Sequence, residues 1–223
     1  MTRHLEHELA FRGNMNLINN RKTSDIRLCG VGALGSWLAD ILARQGYENM
    51  TFIDKDKVER GNFGTQNYGN VDVGRSKAIQ CSHGIMRRLG VKSSPIHKTL
   101  TNMNVKSLVK DADLVVDLLD NVESRGLVKD ACESLSISCL HGGMSTTGFS
   151  EICWNEKYQV GEANEPVNDP EPCDYPLAAN LVHFTVAILA EVINSFIDEG
   201  IKRDVEFTIR DMNVDIRREK WKN

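Results

Sequence analysis

The sequence predicts an α/β protein: a Rossmann-like mixed sheet, parallel in its N-terminal half and antiparallel toward its C-terminus, with helices on both faces. Three observations carry this. Short apolar runs alternate with amphipathic stretches of helical period over the first two thirds of the chain. A turn with G-x-G-x-x-G spacing, "GVGALG" at residues 30–35, joins the first such run to the first such stretch. Further on, "TTGFSEICW" and "DVEFTIRDMNVDIRRE" alternate apolar and polar residues with the period of antiparallel strands.

The elements follow in order. Leu5, Leu9, Phe11, Met15, Leu17 and Ile18 recur at rough helical intervals, which gives an N-terminal helical segment over residues 1–22. "IRLCGV" reads as a buried strand, residues 34–45 as an amphipathic helix stopped by Gly46, and "MTFID" as a second strand ending at Asp54. Strand, glycine turn, helix and strand form one βαβ unit. Residues 55–75 are polar and glycine-rich with little periodicity, and a connection of about twenty irregular residues in a compact domain is often functional. Helices are expected near 76–89, 104–110 and 121–135, and strands near 94–97, at "DLVVDLL" and at "SCLHG". Residues 161–174 hold five acids and neither lysine nor arginine, and an acidic crossover loop is expected over 161–176. The most apolar helix, over 177–196, and a terminal strand pair complete a single domain spanning 1–223.

Composition narrows the function. At 223 residues and 41% hydrophobic content the chain can bury a sizeable core. A net charge of −4 argues against general nucleic-acid binding. No apolar run is expected to approach the length needed to span a bilayer, and the 177–196 helix, which carries His183, Glu191 and Asn194, reads as core or dimer interface. The N-terminus lacks a signal peptide's apolar centre, so a cytoplasmic protein is expected. Six cysteines, at 29, 81, 132, 139, 153 and 173, include no C-x-x-C pair, so no structural zinc is expected and the thiols read as reduced.

The glycine turn places Gly30, Gly32 and Gly35 where a strand closes and a helix opens, so phosphate oxygens can approach backbone N–H groups at a helix N-terminus. Asp54, at the end of the second strand, is placed to accept ribose hydroxyls. A nicotinamide oxidoreductase and an ATP enzyme both fit to this point. Asn62, Gln66 and Lys77 follow directly beyond the ribose carboxylate, and "DLLDNVESR" puts Asp120 and Asn121 at the carboxyl end of a buried strand. A carboxylate there can hold Mg²⁺ against phosphates and a lysine can neutralise developing charge. Nucleotidyl transfer needs both and hydride transfer neither. Asp120 could instead be an N-cap for the next helix, and His141 in "LHGG" reads as structural.

At these residues the chain resembles the ThiF/MoeB branch of the ubiquitin-activating superfamily, whose pattern runs G-x-G-G-x-G, D-x-D-x-V-x-x-S-N-L-x-R-Q, a lysine, and D-N-x-x-x-R. Here these read "GVGALG", "DKDKVERGNFGTQ", Lys77 and "DNVESR", within a match over roughly residues 3–196. The resemblance implies an enzyme that uses Mg·ATP to adenylate the C-terminal carboxylate of a small ubiquitin-like or sulfur-carrier protein ending in Gly-Gly, and a homodimer. By position, Gly30, Gly32 and Ala33 border the phosphates, Asp54 binds ribose, Asn62, Gln66, Lys77 and Asn121 face the nucleotide, and Asp120 holds magnesium. It also implies that Cys173, ahead of the long helix, can attack the adenylate and form a covalent link. The sequence departs from the family pattern at Thr65, where an arginine is usual, and at His7, near which the N-terminal arginine falls. Arg12, Arg21, Arg60 and Arg75 are the candidate replacements. Two rivals share the fold: a tRNA-modifying cyclising enzyme, and a weakly catalytic subunit of a heterodimeric activator.

Overall fold

The computed structural model describes residues 5–161, 179–210 and 212–217. Two N-terminal helices, α1 (Glu6–Arg12) and α2 (Met15–Thr23), stand where one helical segment was expected. The break has a local cause. Gly13 closes α1 with φ +67°, and the Asn14 side chain caps α2 by accepting the Asn16 N–H at 2.9 Å.

Then come β1 (Ile26–Cys29), α3 (Ala33–Arg44), β2 (Met50–Ile53), α4 (Lys77–Leu89), β3 (Ser94–Ile96), α5 (Val105–Val109), β4 (Leu114–Asp117) and α6 (Val122–Leu135). They are followed by β5 (Cys139–Met144), β6 (Phe149–Trp154), α7 (Ala179–Glu199), β7 (Asp204–Thr208) and β8 (Asn213–Arg217). One eight-stranded sheet runs in the order β3-β2-β1-β4-β5-β6-β7-β8. The first five of these strands are parallel and the last three join antiparallel, as the sequence predicts. Strand order reverses between β1 and β4, and in open parallel sheets the crevice beyond such a reversal binds ligands.

Alternation along each strand feeds two cores. Leu28, Phe52, Val116, Leu140 and Ile152 pack on one side with α3, α4 and α7, while Cys29, Ile53, Val115 and Cys139 pack on the other with α5 and α6. Helix α7 corrects one expectation, since by length and composition its 21 residues could cross a membrane. In the fold it is a core helix. Leu181, Val186, Leu189 and Ile193 are buried against α3 and the sheet, and buried Asn194 accepts the Tyr47 hydroxyl at 3.0 Å. Its C-terminal end is pinned to α2 by fully buried Arg21, whose Nε donates to Asp198 Oδ1 at 3.0 Å.

Candidate active site

The carboxyl ends of β1, β2, β4 and β5 open onto one cavity of about 550 Å³. Its floor is the glycine turn, and each glycine answers a different demand. A Cβ on Gly35 would stand 2.0 Å from the Gly30 carbonyl oxygen, and one on Gly30, at φ +91°, would meet the Leu118 carbonyl at 2.8 Å. These two let the turn fold back on itself and lie against the start of the β4–α6 loop. Gly32 differs: a Cβ there meets nothing nearer than Gln66 Nε2 at 4.0 Å and would project into free space beside the N-terminus of α3. Open space beside a helix N-terminus is what a close approach of phosphate oxygens to backbone N–H groups would need.

Val31, between the first two glycines, is clamped on both sides. Its N–H donates to Asp54 Oδ2 at 2.8 Å and its carbonyl accepts the Tyr68 hydroxyl at 2.6 Å. The other Asp54 oxygen accepts the Asp56 N–H at 2.7 Å. Burial pushes the Asp54 carboxyl up from its usual value, opposed by these two amide bonds and by the charge of Lys77. Tyr68 was not singled out in the sequence, where nothing in "QNYGN" marks it as the second half of this clamp.

The irregular 55–75 connection contains two short 3₁₀ turns, Arg60–Gly64 and Asn70–Asp72, and borders the cavity. Buried Asn62 holds the first turn by accepting the Glu59 N–H at 2.8 Å, and Trp37 Nε1 donates to the Thr65 carbonyl at 2.9 Å. Gln66 Oε1 is the one buried side-chain polar atom without a partner among the described residues. Lys77 opens α4, is 7% exposed, and brings its Nζ to 3.5 Å from Asp56 Oδ2.

Across the cavity, Asn121 and not Asp120 caps α6, accepting the Ser124 N–H at 2.9 Å. Asp120 is left exposed to the cavity, with Asn121 Nδ2 at 3.4 Å. Gly30, Gly32, Ala33, Asp54, Asn62, Gln66, Lys77, Asp120 and Asn121 therefore all line one space. Cys173, most of the acidic crossover loop and the side chain of Arg12 lie outside the described residues.

The replacement arginines resolve in part. Arg21 is buried and paired with Asp198 and Glu8, while Arg60 and Arg75 are exposed and do not line the cavity. The cations that do are Lys55, Lys77, Lys98 and Arg125. Arg125 is committed to the protein: Nη1 donates to the Leu119 carbonyl at 2.7 Å and to the Gly142 carbonyl at 3.1 Å.

A doubly wound sheet whose glycine turn, strand-end carboxylates and buried lysine meet at the reversal of strand order defines a nucleotide-binding α/β domain. The ThiF family model matches residues 8–197, and the chain belongs to this family. It is 31% identical over 205 residues to the SAMP-activating enzyme E1 of Haloferax volcanii, covering 86% of this chain and 73% of that protein. It is 33% identical over 127 residues to the adenylyltransferase and sulfurtransferase MOCS3 of Sus scrofa, covering 56% of this chain but 27% of that relative. Its fold is similar to that of the microcin C7 biosynthetic enzyme MccB in complex with N-formylated MccA, with TM-score 0.81 at 16% identity over 96% of this chain and 71% of that one.

Proposed function

We propose that this chain is an ATP-dependent adenylyltransferase acting on the C-terminal carboxylate of a small ubiquitin-like or sulfur-carrier protein that ends in Gly-Gly. The observation that carries the reading is the meeting of buried Lys77 and exposed Asp120 with the glycine turn in one cavity. The relatives' names, an adenylyltransferase and a SAMP-activating enzyme, support it.

The residues fit ATP. The open space at Gly32 and the start of α3 receive phosphate oxygens. Gln66 Nε2, 4.0 Å from where a Cβ on Gly32 would stand, supplies a further donor beside that space. Asp54 keeps lone pairs for ribose beyond its two amide bonds, and Asn62 and Asn121 border the nucleotide. A single exposed carboxylate suits Mg²⁺, which is usually shared between one or two protein carboxylates and substrate phosphates. Asp120 would hold it, and the ion supplies charge neutralisation at the phosphate oxygens.

The tail carboxylate attacks the α-phosphorus and pyrophosphate leaves. Lys77 and the α3 amides stabilise the negative charge that moves onto the leaving group. Cys173 is the residue proposed to accept the activated carrier. A homodimer in the cytoplasm, with neither membrane nor nucleic acid as partner, completes the reading, and light scattering at micromolar concentration tests the pairing.

The deciding experiment is pyrophosphate exchange into ATP with a candidate carrier. Exchange that depends on the Gly-Gly tail supports the reading. Exchange stimulated by tRNA instead, or none at all, overturns it in favour of the cyclising enzyme or the weakly catalytic subunit.

A further inference from the structure

Beneath the cavity floor lies a polar cluster enclosed in protein. Asp117, the last residue of β4, is fully buried, and its register partner on β5, His141, is 1% exposed. His141 Nδ1 stands 2.8 Å from Asp117 Oδ2, and its Nε2 stands 2.7 Å from Asn155 Oδ1. The imidazole lies flat on the Tyr158 ring, with centroids 3.8 Å apart. The Tyr158 hydroxyl oxygen in turn accepts from Arg125 Nε at 2.5 Å.

Burying this many polar groups is costly unless each is paired, and paired groups of this kind fix geometry. The fixed geometry converges on one residue. Asp117 Oδ1 accepts the Leu119 N–H at 3.1 Å, and Arg125 Nη1 donates to the Leu119 carbonyl at 2.7 Å. Leu119 is thus gripped at both backbone groups by side chains that His141 and Tyr158 hold in place. The next residue is Asp120.

We propose that His141 and Tyr158 are positioning residues for Asp120, acting through Asp117 and Arg125 on the Leu119 turn. The proposal rests on the adenylation reading, in which Asp120 holds the metal. Mg²⁺ accepts only a narrow range of ligand geometry, so a turn that wanders presents the carboxylate correctly for less of the time. Outer partners of metal ligands commonly change metal affinity by 10–100-fold when removed.

Tyr158→Phe removes one oxygen from a half-buried ring and leaves the stack on His141. His141→Phe keeps the ring and removes both nitrogens, at greater risk to the fold. Amide hydrogen exchange is measured on each protein without nucleotide. In Tyr158→Phe the amide of Leu119 should exchange about tenfold faster while those of Val115 and Val116 stay unchanged, with a larger effect in His141→Phe where it folds. With Mn²⁺ as the probe metal, the concentration giving half-maximal pyrophosphate exchange should rise about tenfold, with turnover at saturating Mn²⁺ within about twofold of wild type. Unchanged exchange at Leu119, or equal acceleration along all of β4, overturns the positioning role. Wild-type protein that exchanges no pyrophosphate overturns the adenylation reading instead, and the amide measurement still judges the network.

Discussion

Asp54 and Val31 are joined by a 2.8 Å hydrogen bond from backbone amide to buried carboxylate. The bond ties the end of β2 to the glycine turn after β1, so the residue expected to hold ribose also shapes the turn proposed to receive phosphate. Asp54→Asn should therefore cost more than one ligand contact. An amide has one oxygen for two N–H donors, and one buried amide is left facing an N–H. The expected losses are roughly 1–3 kcal/mol of stability and at least about tenfold in ATP affinity, read by urea unfolding and calorimetric titration. Burial holds the folded-state pKa of Asp54 above its usual value, so its titration adds stability that is complete below the unfolded value and lost as pH rises through the folded one. The mutant's stability deficit should accordingly be larger near the acid end than at neutral pH.

Asp120→Ala should abolish pyrophosphate exchange, with a loss of roughly 10²-fold or more, and leave melting almost unmoved. The side chain is exposed, and Asn121 carries the α6 cap in its place. Lys77→Ala should weaken ATP binding as well, by roughly 10–100-fold, since a charge-assisted contact contributes about 1.5–3 kcal/mol. Exchange that survives Asp120→Ala with normal melting would remove the metal assignment.

The glycines give a paired test. Gly35→Ala forces a methyl to within 2.0 Å of the Gly30 carbonyl, so the turn must open and the melting temperature should fall by several degrees. Gly32→Ala places its methyl in the cavity, 4.0 Å from its nearest neighbour, so the fold should stand while ATP binding drops. Equal melting temperatures for the two variants would contradict this division of labour.

These contrasts also show what a sequence can and cannot disclose. The glycine turn, Asp54 and Asp120 were legible because strand, turn and helix signals lie beside them in the chain. The break at Gly13 and Asn14 was not, because apolar residues keep a roughly helical spacing through both α1 and α2. Nor was the cluster around Asp117, since its pairing with His141 depends on the β4–β5 register and a polar residue at a strand end reads alike facing in or out. Arg21 seemed available to the triphosphate. Its partner Asp198 is 177 positions away, and only the packing of α2 on α7 brings them together.

The last prediction concerns thiols. If Cys173 accepts the activated carrier it must react as a thiolate, and the other five cysteines offer a natural contrast. Cys29, Cys81, Cys132, Cys139 and Cys153 are all buried in the folded chain. Burial raises the thiols of Cys29 and Cys81, and that of Cys153 is pushed up to about 12. For Cys139 a hydrogen bond to Cys132 leads, with burial adding to it. A thiol so raised holds almost no thiolate at pH 8 and reacts slowly even where a reagent can reach it. Iodoacetamide at pH 8 should therefore modify Cys173 first, with the other five labelled only after unfolding, as peptide mass mapping would show. Cys173→Ala should leave pyrophosphate exchange intact, because the thiol acts after the adenylate forms, and should remove any reducible adduct with the carrier. An adduct that persists in Cys173→Ala and maps to Cys153 or Cys139 would move the transfer step to a residue the fold keeps buried, and the assignment of Cys173 would be wrong.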